Sequence, residues 1–358
     1  MNWDSICYDA AAFTAGLFLL EYGADRFIDH TAIVARQLGV SQTLVALLTA
    51  GAEWEELAVV VASILQGRSP LALGNIIGSS ISNILGAFSL GLVFHPGRIA
   101  FDRSAKIYTV LLFLVTSNFT VVALTKNLGR LAGGIFIGVF ALYLVSVSYV
   151  IYKGVLSVPE DSDSDDSDDD GSNEGNSAEV QHDHPPAEIT PLLPNNASRE
   201  RSAHGWKHTL IYHIAQLILG FIALSLSGYV LSHSAASIAD AFDLSGTVLG
   251  VTVLSFATTL PEKFVAVISG TRGHGGIVVA STAGSNIFLL TLCLGITLVA
   301  GNQKELADSL IPFELLVTWA SSALFLLIVL LGSRRWIGGM LLILYLTFIV
   351  LEFTMYRR

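Results

Sequence analysis

Charge is scarce in this sequence. Only 13% of its 358 residues are Asp, Glu, Lys or Arg, about half the share of an average soluble domain. So few charges cannot clothe a globular surface of this size, which argues against a water-soluble enzyme and for a polytopic membrane protein. The only cysteines, Cys7 and Cys293, form no spacing pattern, which excludes a disulfide scaffold or a zinc ribbon. No Gly-Lys-Ser/Thr phosphate loop occurs, so no ATP site is expected. No stretch is basic enough to suggest nucleic acid. A basic region ahead of the first apolar run is also missing, so the first helix is expected to act as an uncleaved anchor.

What is present is apolar sequence in long runs: 53% of residues are hydrophobic and mean hydropathy is +0.64. A bilayer core takes about 20 apolar residues as a helix. Ten such segments are expected, roughly 9–35, 41–66, 71–94, 106–125, 131–153, 208–233, 245–269, 276–300, 311–331 and 336–354. Between the fifth and sixth lies a different material. Residues 160–200 hold 13 of the 29 acids and one base, Arg199, a net charge of −12, so the remaining 18 bases and 16 acids leave a nearly neutral body. One-signed charge with low hydrophobicity builds no core, so a disordered linker is expected over 157–206, between five-helix units at 1–156 and 207–358. With the N-terminus outside the cytosol, eleven Lys and Arg fall on the cytosolic side and six opposite, while Arg26 and Lys263 lie inside helices. That bias places the acidic loop in the cytosol.

Several weaker signals sit in that loop. His182 and His184 flank Asp183, and solvated side chains are the simpler reading than a metal site. Ser162, Ser164 and Ser167 precede acids, as at acid-directed kinase sites. Glu188 through Leu192-Leu193 resembles an acidic dileucine sorting signal, which favours a vacuolar or endosomal membrane over the plasma membrane and makes a sorting adaptor a candidate partner. Asn118 and Asn196 head glycosylation sequons.

The strongest pattern is an internal repeat at a constant offset of 206 residues. Glu56 maps to Glu262, Ser63 to Ser269, Gly67 to Gly273, Gly78 to Gly284, Ser79 to Ser285 and Ile81 to Ile287, with no gap. An odd number of helices per copy turns the second copy upside down in the membrane, and inverted repeats with interrupted polar helices mark secondary transporters. An acid at the bilayer centre costs about 2.5–3.5 kcal/mol on insertion scales, so its presence points to function.

These residues carry a resemblance to a family. Gly23-Ala24-Asp25 through Ser41 to Glu56-Leu57, Leu260-Pro261-Glu262, Gly74 through Ser79, and Gly284-Ser285-Asn286 resemble the membrane region of the sodium/calcium exchangers, the calcium/cation antiporters. The resemblance covers all ten helices and implies an all-α polytopic membrane protein of ten transmembrane helices in two inverted five-helix repeats. It implies that Glu56 and Glu262 are the central cation-binding glutamates. By the same resemblance Thr258 and Thr259 are the hydroxyl pair before the second of them, and Ser79, Asn83 and Ser285 are polar ligands on the third and eighth helices. It implies no cofactor, with Ca2+ and either Na+ or H+ as the transported ions.

Departures from the family pattern are as informative. The first repeat reads Ala52-Glu53-Trp54-Glu55-Glu56, without the family's proline. Lys263 follows Glu262, and Leu289 stands where the family has an acid or amide. Helical phase brings Glu53, three residues before Glu56, onto the same face and turns Glu55 about 100° away. Glu53 is therefore the candidate substitute ligand for the one lost at Leu289, and Lys263 a candidate partner for Glu53 or Glu55. The reading is an antiporter exchanging calcium, or a related cation, for sodium or protons. Its alternative is a membrane scaffold or sensor that keeps the fold with a degenerate ion site.

Overall fold

A computed structural model of the chain describes residues 3–38, 53–97, 99, 101, 103–152 and 196–355. Among them the regular structure is helical, apart from one β-bridge between Ile99 and Ser333. The first half carries α1 (Trp3–Gln37), α2 (Trp54–Leu65), α3 (Ser69–Phe94), α4 (Arg103–Leu124) and α5 (Arg130–Tyr152). The second carries α6 (Asn196–Ala241), α7 (Gly246–Thr258), α8 (Leu260–Thr271), α9 (Gly275–Ala300), a short α10 (Gln303–Ser309), α11 (Pro312–Leu331) and α12 (Arg335–Thr354). Seven of these are long and apolar enough to cross a bilayer, and α7 with α8, bent by 47°, makes an eighth.

All ten expected segments meet helix. For 41–66 only the second half, α2, is described. The acidic run, its serines, His182, His184, Leu192 and Leu193 also lie outside the described residues. The chain is already helical from Asn196, inside the stretch assigned to the linker. Pro194 is the last proline before it, and Ala197, Arg199, Glu200, Arg201 and Ala203 are good helix formers.

The 206-residue repeat is written into the helix ends. α2 and α8 have 12 residues each and α3 and α9 have 26 each, and each pair is offset by 206 at both ends. The turn inside each pair is the same. Arg68 N–H reaches Ser63 O at 2.8 Å and Gly67 N–H reaches Ile64 O at 2.9 Å. In the second copy His274 N–H reaches Ser269 O at 2.9 Å and Gly273 N–H reaches Gly270 O at 3.0 Å. This two-bond helix end needs a left-handed residue at its corner. Gly67 and Gly273 supply it with φ of 72° and 79°, and there a side chain would be strained.

Close approaches give the inversion directly. α1 meets α6 with Gly16 against Leu231, Gly23 against Leu224 and Phe27 against Gly220, so equivalent helices of the two repeats run antiparallel. α3 and α9 do the same: Gly91 faces Val278, and Ser80 Oγ donates to Asn286 Oδ1 at 2.6 Å. Ser80 and Asn286 are themselves 206 apart, so this bond lies on the pseudo-two-fold axis. α3 crosses α7 at backbone contact. A Cβ on Gly74 would lie 2.5 Å from Thr247 O, and one on Gly250 2.6 Å from Leu71 O.

Burial separates core from rim. The spans of α3 and α9 are 89% and 72% buried, against 17% for α5. These two central helices carry a line of buried polar side chains, among them Asn75, Ser79, Ser80, Asn83, Ser285 and Asn286.

Candidate functional site

The site forms where two short helices begin. Glu55 and Glu56 sit in the first turn of α2, and Glu262 in the first turn of α8. Carboxylates in a first helical turn gain from the positive end of the helix dipole and its free N–H groups. On the α8 side the start is set by the break after Thr258, with Pro261, which lacks an N–H, at the beginning of the new helix. On the α2 side no proline marks the start. Glu53 stands just ahead of the helix with φ −75° and ψ 70°.

Glu56 is fully buried and held by three donors from two other helices. Ser79 Oγ donates to Oε1 at 2.8 Å and Thr258 Oγ1 to the same oxygen at 2.6 Å, while Asn75 Nδ2 donates a short bond to Oε2. Beside it lies a carboxylate trio. One oxygen each of Glu53, Glu55 and Glu262 lie within 4.8 Å of one another. Ser285 lines a cavity together with the Glu262 member of the trio.

Several buried oxygens on the trio and on α3 have no hydrogen-bond partner in the protein: Glu53 Oε2, Glu262 Oε2, Asn75 Oδ1 and Asn83 Oδ1. Buried acceptors left unpaired are uncommon and call for a ligand. Asn83, Glu262 and Ser285, with Ser281 and Thr282, also line a cavity of ≈ 10 Å³, the size of one water or ion. Three like charges in this space repel strongly unless a cation or protons join them. Hard cations such as calcium take oxygen donors of this kind, carboxylates mixed with amide and hydroxyl oxygens.

Two expectations change. Glu53 does not share a helix face with Glu56, because the helix starts only at Trp54. Its carboxyl meets Glu262 instead, and Glu55 is in the trio rather than turned away. Lys263 pairs with neither acid: its Nζ lies 2.5 Å from Thr259 Oγ1, 2.9 Å from Ser82 Oγ and 3.0 Å from Thr259 O. Thr259 accordingly serves the lysine, not a glutamate. Ser79, Thr258, Ser285, Asn83, Glu53, Glu56 and Glu262 are all brought to the centre. Asn75 and Glu55 are added by the structure. Asn75 lies in the Gly74–Ser79 stretch that carries the resemblance, but its type alone gave no role.

Antiparallel repeats with half-helices that converge on buried carboxylates define an ion-translocating membrane protein of the inverted-repeat transporter class. The family model for the sodium/calcium exchanger protein matches residues 8–149 and 212–354, one stretch per repeat. The chain belongs to the sodium/calcium exchanger family. It is 30% identical to the putative antiporter CaxA of Alkalimonas amylolytica, over 80% of this chain and 79% of that one. It is 25% identical to the sodium/calcium exchanger MaX1 of Methanosarcina acetivorans, over 94% and 96%. Its fold matches that of the sodium-calcium exchanger NCX_Mj soaked with 2.5 mM Na+ and 10 mM Sr2+, with a TM-score of 0.57, 22% identity and coverage of 96% and 99%. The chain is thus an integral multi-pass membrane protein and a transporter, not an enzyme.

Proposed function

We propose that this exchanger moves calcium, or a related divalent cation, against sodium or protons by alternating access. The observation that carries the reading is the trio of Glu53, Glu55 and Glu262, which joins carboxylates of both repeats and leaves buried oxygens of Glu53 and Glu262 without a hydrogen-bond partner. A divalent ion there replaces its hydration shell with these donors, and its charge relieves their repulsion. Glu56, tied by Asn75, Ser79 and Thr258, keeps the start of α2 in register with α3 and α7, so that motion of either repeat changes the shape of the site. Sodium/calcium exchange by the relative MaX1 supports the same ions here. The sequence signals of the acidic loop support a cytosolic orientation and a vacuolar or endosomal membrane, with a kinase or sorting adaptor as partner.

The test is gradient-driven uptake. Purified protein in sealed vesicles should accumulate radiolabelled calcium when an outward sodium or proton gradient is imposed, and lose the accumulation when an ionophore collapses that gradient. Calcium movement indifferent to both gradients would rule out antiport.

A further inference from the structure

Lys263 is a buried cationic side chain beside the carboxylate site, which does not use it. It is 7% exposed. The hydrogen-bond partners of this ammonium are hydroxyl and carbonyl oxygens rather than a carboxylate. Burying a charge without a counter-ion is expensive unless neutral dipoles replace its hydration. Here they do. Ser82 Oγ, Thr259 Oγ1 and Thr259 O lie at 2.9, 2.5 and 3.0 Å, with Phe256 O further off at 3.4 Å.

The hydroxyls around it are oriented for a cation. Thr259 Oγ1 donates its proton to Ser255 O at 2.6 Å. The 2.8 Å contact between Ser82 and Thr259 then has Ser82 as donor. Tyr345 in turn donates to Ser82 at 2.9 Å. Each proton therefore points away from the ammonium and each lone pair is left for it. The carbonyls belong to the last turn of α7 and to Thr259, which stands in the break before α8. Hydroxyl oxygens with carbonyls at the end of a broken helix are the donors that hold a dehydrated monovalent cation in membrane transporters. Space is provided as well: a Cβ on Gly86 would come within 3.3 Å of Lys263 Cε.

We propose that Lys263 is a resident cation. Its ammonium fills a monovalent-cation place beside the carboxylate trio, so this exchanger carries one co-ion fewer than the same fold with that place open. The idea rests on the reading that Glu53, Glu55 and Glu262 hold the exchanged divalent ion, and it deepens that reading by setting the coupling.

The experiment counts sodium bound to the purified full-length chain by equilibrium dialysis with radiolabelled sodium. Lys263→Ala removes the ammonium and opens the cage, and should bind one more sodium per chain than the wild type. Adding Thr259→Val to Lys263→Ala should abolish that extra ion, and Lys263→Met, which fills the space without charge, should not gain it. Equal sodium counts in wild type and Lys263→Ala would mean that the lysine only caps the end of α7, and would overturn the proposal. If Lys263→Ala is unstable in N-methylglucamine buffer, sodium should restore a monodisperse protein, and failure in both salts would also overturn it. Radiolabelled calcium binding, measured in parallel with Glu262→Gln, reads the functional proposal separately. A wild type that binds no calcium would sink that reading while the sodium count still decides this one.

Discussion

Glu56 and its three acidic neighbours differ in what holds them. Glu56 takes three donors, whereas Glu53, Glu55 and Glu262 chiefly face one another. Helical phase assigned Glu53 to the ion and turned Glu55 away from it, yet Glu55 joins Glu53 in the trio, for a local reason. The 3.6-residue period applies only inside a helix, and α2 begins one residue after Glu53. Nothing in Ala52-Glu53-Trp54 signals that start, because the proline that marks it in the other repeat is missing. Asn75 was hidden differently: an amide in an apolar run does not say which neighbour it meets. The two acids should therefore behave alike. Glu53→Gln and Glu55→Gln should each weaken calcium binding about tenfold or more, where tenfold is about 1.4 kcal/mol, as read by calorimetry on purified protein. A variant with unchanged affinity would remove that residue from the site.

At the scale of elements the sequence was more legible. Membrane spans announce themselves by length and hydropathy, which is why the long described helices fall on the expected segments while the short α10 was not foreseen. The paired glycines at 67 and 273 mark the same turn twice, for a backbone reason visible in the sequence. The break between α7 and α8 was signalled by Pro261. Which helices touch was not legible, because close crossings depend on small residues whose partners lie far along the chain. Gly74 is such a position: its Cβ would meet Thr247 O at 2.5 Å, backbone that cannot turn aside. Overpacking typically costs about 1–3 kcal/mol. Gly74→Leu should lower the thermal midpoint in detergent, while Gly134→Leu, where a Cβ meets nothing within 4 Å, should leave it near wild type. Equal midpoints would mean that α3 and α7 do not cross as described.

Over the whole molecule, the antiparallel course of α1 with α6 and of α3 with α9 fixes the relation of the two repeats but not their direction in the membrane. For direction we propose, from the Lys and Arg count, that residues 160–200 face the cytosol. A protease outside sealed right-side-out vesicles should leave that stretch intact, and cleavage there would reverse the orientation. Protons also compete with cations for a shared cluster of carboxylates. Calcium uptake at fixed gradients should thus fall as pH is lowered, because each bound proton removes a charged ligand. Uptake flat across the acidic range would show that the trio does not bind the transported ion.

If carboxylates from both repeats hold the exchanged ion, initial rates of radiolabelled calcium uptake should depend on each of them. Glu262→Gln and Glu56→Gln keep nearly the same volume and remove one charge each, the first from the trio and the second from the scaffold that positions it. Both variants should reach the membrane at wild-type levels with unchanged helix content, and both should lose all or nearly all gradient-driven uptake. Uptake close to wild type in Glu262→Gln would contradict the account, because no ion could then depend on the one carboxylate that the second repeat contributes to the trio.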